Sequence, residues 1–159
     1  MSYRRPPQFD IDFETLPSDP AERHEVLVDV FGRYLFWLRN WSVSATQELA
    51  ESEEARARLG TIWRKKYDEL AALTPEQRGV AFEIAEASLD RFIQLFLTMM
   101  ADTGTDQRLG RDHAIRFNLE MEICDVENGE VVDQETINRG GKKFFANYWG
   151  RWLNRYARE

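Results

Sequence analysis

The chain has 159 residues, 43% hydrophobic and 31% charged, with a formal net charge of −7 and a single cysteine. That apolar content excludes a disordered chain, and a domain of this length buries roughly 70% of the surface its unfolded form exposes. The acidic balance opposes nucleic-acid backbones and anionic membranes, and the lone Cys124 excludes an intrachain disulfide and fits a reducing, cytoplasmic setting.

Residues 1–19 contain Pro6, Pro7 and Pro17, which disfavour helix, so an extended N-terminal arm is expected. Within it Phe9, Ile11 and Phe13 alternate with acidic residues, a pattern open to a short strand or to disorder. Met1 to Pro7 lacks the apolar stretch of a secretory signal. No apolar run reaches membrane-span length, since Gln94 and Thr98 interrupt the longest.

The first helix is announced by Asp19 as cap, Pro20 in the first helical position and Glu22 three residues after the cap. Val26, Leu27, Val30, Phe31, Tyr34, Leu35, Leu38 and Trp41 follow at helical spacing. Asn40-Trp41-Ser42 offers one end for this helix. Ser44 with Gln47, or Ser52 ahead of Glu53-Glu54, offers the next start. Leu59, Ile62, Trp63, Tyr67, Leu70 and Leu73 form the next stripe, weakened by Gly60.

Thr74-Pro75-Glu76-Gln77 places a cap, a proline and a capping-box glutamine in order. The helix it opens is apolar almost all round by Phe92–Met100, which predicts the central helix of the core. The short connection before it predicts antiparallel neighbours.

After an expected loop from Ala101 to Asp112, Ile115, Phe117, Leu119, Met121 and Ile123 alternate with Arg116, Asn118, Glu120 and Glu122. That alternation is a half-buried strand with one wet face. Asn128-Gly129 then predicts a two-residue type I′ turn into a short returning strand from Val131. A last helix carries Phe145, Trp149, Trp152 and Tyr156 at helical spacing, interleaved with Lys142, Lys143, Arg151 and Arg155.

These elements give a mainly α, α+β fold. An antiparallel bundle of three to four helices over 20–159 carries one C-terminal β-hairpin, at about 113–137, and a final helix.

Chemical motifs are sparse. His24 and His113 have no second ligand at metal spacing. His113 and Cys124 stand too far apart along one strand for proton transfer. Gly140-Gly141 ahead of the last helix either offers an anion a helix N-terminus or lets the chain turn. It lacks the spacing and hydroxyl residue of a phosphate loop. No cofactor or metal is expected. Two polar surfaces stand out as binding candidates: Glu83, Glu86 and Asp90 on the helix after Pro75, and Arg116, Asn118, Glu120 and Glu122 on the wet strand face.

The stretch from Tyr67 to Arg78 (Tyr-Asp-Glu-Leu-Ala-Ala-Leu-Thr-Pro-Glu-Gln-Arg), followed by Leu89 to Met100, resembles helix pairs in small uncharacterised bacterial proteins. Some of these are similar to toxin-immunity proteins. The resemblance covers about a third of the chain and transfers no functional residue. It implies a small bacterial interaction protein.

The expected function is therefore a non-enzymatic protein–protein interaction domain, of the immunity or adaptor kind, binding a basic protein partner as a monomer or homodimer. The alternative is a small-molecule-binding protein or enzyme with a pocket between hairpin and helices, built from Tyr34, Trp63, His113 and Arg116.

Overall fold

A computed structural model describes residues 15–101, 108–109 and 113–156. The alternation at Phe9–Phe13 lies outside them. The fold is mainly helical, with a C-terminal antiparallel hairpin followed by a final helix. The helices are α1 (Pro20–Glu51), α2 (Glu53–Ala57), α3 (Thr61–Ala71), α4 (Pro75–Met100) and α5 (Tyr148–Tyr156). The strands are β1 (Arg108–Leu109), β2 (His113–Ala114), β3 (Glu120–Cys124) and β4 (Val131–Thr136). Among the described residues no helix is long and apolar enough to cross a membrane.

The chain divides into two compact units. One is Trp37–Phe92; the other comprises the described residues up to Phe36 and from Ile93 onward.

Local signals set most helix ends. Asp19 accepts a hydrogen bond from the Glu22 amide at 2.9 Å, capping α1. The helix does not stop at Asn40–Ser42 but runs through to Glu51, and Ser44 lies inside it. Ser52 is the working cap, accepting from the Ala55 amide at 3.2 Å. The capping box at α4 closes in both directions. The Thr74 hydroxyl accepts from the Gln77 amide at 3.3 Å, and the Gln77 side chain accepts from the Thr74 amide at 3.1 Å.

Within Trp37–Phe92, α1 and α4 run antiparallel. Arg39 meets Asp90, while Ser42, Val43 and Thr46 share a small cleft with Phe82, Ala85 and Leu89. Arg56 ties this unit's turn together. Its guanidinium donates to the Leu49 and Ala50 carbonyls at the end of α1 and to Asp68 on α3.

The other unit holds most of the core. Leu27, Val28 and Phe36 of α1, and Ile93, Leu97 and Met100 of α4, are buried with Phe145, Tyr148, Trp149, Trp152 and Tyr156. The aromatic rings interlock: Phe31 stacks on Phe145 at 5.9 Å, Tyr148 on Trp152 at 5.8 Å, and Phe36 sits 6.1 Å from both Trp149 and Tyr156. Gly32 makes this packing possible. A Cβ there would lie 2.0 Å from the Trp152 ring. The centre of the core is thus α5, whose apolar stripe is fully used. The expectation that the end of α4 is central is corrected: it buries only Ile93, Leu97 and Met100, and Leu95 is exposed.

The expected single strand from His113 to Ile123 is two. β2 pairs with β1, placing a strand inside the expected loop, and β3 pairs with β4. Asn138 supplies the reason for the break. Its buried amide accepts from the Leu119 amide at 2.9 Å and donates to the Phe117 carbonyl at 2.8 Å and the Met100 carbonyl at 2.6 Å. A side chain thereby satisfies backbone groups that a strand partner would otherwise bond.

The hairpin loop also differs. Asp125 accepts from the Glu127 and Asn128 amides, and Gly129 takes a positive φ of 75°. Asp125 and Glu130 close a four-residue loop rather than a two-residue one. Cys124 accordingly pairs with Val131 and Ile123 with Asp133, across a bulge.

Candidate functional site

Two features combine exposure with chemistry, one in each unit.

In Trp37–Phe92 the only buried apolar side chains are Leu49, Ala50 and Ala55. The large apolar residues face outward: Ile62 is 75% exposed, Trp63 59%, Val80 56%, Ile84 62% and Phe92 65%. The helical stripe on α3 has no buried residue. On α4, Val80, Ile84 and Phe92 fall at intervals of four and eight, so they share one face, with the exposed Ser88 between them. An apolar face of this kind marks an interaction surface.

The carboxylates of α4 differ in their partners. Of the expected acidic trio, Glu86 and Asp90 are held by Arg39. Asp90 binds the guanidinium through two bonds of 2.8 and 2.9 Å, and Glu86 lies 2.5 Å away. These contacts, Asp90's first, raise the Arg39 pKa above its ordinary value against the opposing effect of burial. The trio is therefore not one open acidic face. Glu83 remains exposed, and it joins Glu48, Glu51, Glu53 and Glu69 as carboxylates without a cation partner among the described residues.

In the other unit the expected strand ladder is split. Glu120 and Glu122 lie exposed on β3, where Glu120 accepts from Gln134 at 3.0 Å. Arg116 and Asn118 precede the strand, in the stretch from 115 to 119 between β2 and β3, and are exposed.

A pocket of about 450 Å³ does exist here, but elsewhere than expected. It lies where β4 leads into α5, lined by His24 and by the stretch from Ile137 to Phe145 that includes Arg139, Lys142 and Lys143. Tyr34, Trp63, His113 and Arg116 do not line it. Its position follows from the inward face of β4. Asp133 and Glu135 point to α1, where Arg23 and His24 bind them. Arg23 holds the Asp133 carboxyl below its usual range.

Glu25 secures the floor. It accepts from the Tyr148 hydroxyl, from the Lys142 amide at 3.2 Å and from Arg151 at 2.9 Å. Burial pushes the Glu25 carboxyl up, but these donors outweigh it and hold the carboxyl below its ordinary value. The Tyr148 phenol is pushed up to about 12, by burial first and by Glu25 second.

The sequence shows His24 without a second ligand at metal spacing, and its partner Glu135 is not visible there because it is 111 residues away. Only the Gly140-Gly141 pair signalled this place.

Among the described residues, no group of three or more His, Cys, Asp or Glu is placed to hold a metal. Compared with protein-family models, curated proteins and solved structures, the chain shows no match.

Proposed function

We propose that this chain is a cytoplasmic protein-interaction domain, of the immunity or adaptor kind, which docks a partner on the α4 face of Val80, Ile84 and Phe92. The carrying observation is the imbalance within Trp37–Phe92: three buried apolar residues, two of them alanines, against a row of large exposed ones. Burying a Val, Ile or Phe side chain is worth roughly 1.5–3 kcal/mol each. A partner that covers this face therefore gains a hydrophobic centre of the size that hot spots have.

The partner presents an apolar helix flanked by basic side chains. The reason is Glu83, an exposed carboxylate on α4 itself with no cation partner among the described residues. The Glu83 carboxylate beside this face steers the encounter with a basic partner and contributes to its salt dependence.

The test is affinity capture from the source organism, identification of the captured protein by mass spectrometry, and titration of that protein, purified, against variants. Ile84→Glu and Phe92→Glu are expected to weaken binding at least tenfold. Glu83→Lys is expected to slow association and flatten its salt dependence. Capture of nothing, or of a protein that binds the α4 variants as well as the wild type, defeats the proposal.

A further inference from the structure

The pocket between the start of α1 and the loop entering α5 has chemistry that the docking face does not use. Three cationic residues, Arg139, Lys142 and Lys143, are among its lining in a chain whose net charge is −7. Concentrating cations in one concavity of an acidic protein focuses a positive potential there.

His24 lines the same pocket and is only 6% exposed. Glu135 binds its Nδ1, which fixes the ring's orientation. The opposite nitrogen, Nε2, is buried and has no hydrogen-bond partner among the described residues. Buried polar atoms of this kind are normally satisfied. This one faces the loop at Gly141, where an added Cβ would stand 2.9 Å from Nε2 and 2.9 Å from the Tyr148 hydroxyl. Only a residue without a side chain allows the loop to approach the histidine this closely. Gly140 has a positive φ of 76°, which lets the loop turn in front of the histidine.

The apolar part of the lining is Ala101, Ile137, Phe144 and Phe145, beside the polar Asn138 and Tyr148. At about 450 Å³ the pocket falls within the range of small-molecule sites and exceeds what a bare inorganic anion fills. We infer that this pocket binds a small organic anion, its charged group against Lys142, Lys143 and the His24 side of the Gly140-Gly141 loop, its apolar body against Phe144 and Ile137.

Three probes test this by calorimetric titration of the full chain: phenyl phosphate, benzoate and inorganic phosphate. Saturable one-to-one binding of phenyl phosphate or of benzoate is expected, and which of the two binds tighter assigns the charged group as phosphate or carboxylate. Inorganic phosphate is expected to bind at least tenfold more weakly than the better organic probe. The variant Lys142→Ala/Lys143→Ala changes two exposed side chains and is expected to fold as the wild type does, with affinity reduced at least tenfold. Gly141→Ala, whose methyl group would push against His24 and Tyr148, is expected to abolish binding; a melting curve on this variant separates a distorted pocket from a lost fold. No saturable binding of either organic probe overturns the inference, as does affinity unchanged by the double lysine variant.

Discussion

Gly32 sits inside a 32-residue helix, where intrinsic propensity alone favours alanine by about 1 kcal/mol. The Trp152 ring reverses the sign. A methyl group at 32 meets it at 2.0 Å, and overpacking of a filled core typically costs about 1–3 kcal/mol. Gly32→Ala is therefore expected to lower stability by about 1–2 kcal/mol in denaturant titration; a gain would show that the ring moves freely. Asn138 is the second such position. Asn138→Ala strips a partner from the Met100 and Phe117 carbonyls and from the Leu119 amide. A loss of about 3 kcal/mol is expected. The carboxylates give a pH signature. Glu25 and Asp133 have lowered pKa values in the folded chain, so their contribution is present in full above the ordinary carboxylate range, about pH 4. It is lost as the pH falls through the lowered folded values. Melting temperature is expected to fall steeply with acid in that window, and Glu25→Gln is expected to make the fall shallower.

At the scale of elements, the starts of helices were the most legible part of the sequence. Asp19, Ser52 and Thr74 each cap through a bond of three-residue span, so neighbouring letters suffice to find them. Thr74→Ala is expected to cost about 1 kcal/mol, read as a lower denaturation midpoint. The mainly helical class, the hairpin and the last helix were legible for the same reason: each is written in a local period. Burial was not. The α4 pattern is apolar nearly all round, and nothing local says which of its sides another element covers. β4 was obscure for a different reason. Its inward residues Asp133 and Glu135 are acidic, so hydrophobic alternation is blind to them. What makes them inward is a pair of bases on α1, Arg23 and His24, over a hundred residues away. The pocket inherits that invisibility, since His24 acquires its orientation only through Glu135. The acidic trio on α4 was half legible: its residues do share a region, but Arg39 claims two of them.

Across the whole molecule, apolar burial is distributed unevenly between the two units. The unit built on α5 carries the interlocked aromatics and the buried Asn138 bonds. Trp37–Phe92 carries three small or medium buried residues and ion pairs such as Arg39–Asp90 and Arg56–Asp68. Conformational entropy opposes ordering at roughly 1–2 kcal/mol per residue, and a core this small offsets little of it. Trp37–Phe92 is therefore expected to be the locally weaker unit in the free chain and the one that a partner stabilises. Amide hydrogen exchange, followed peptide by peptide with and without the captured partner, reads this directly. Free protein is expected to exchange much faster over Thr61–Phe92 than over Tyr148–Tyr156, and partner is expected to slow exchange around Val80–Phe92. Protection of α3 and α4 equal to that of α5 in the free chain, unchanged when partner is added, would contradict the account.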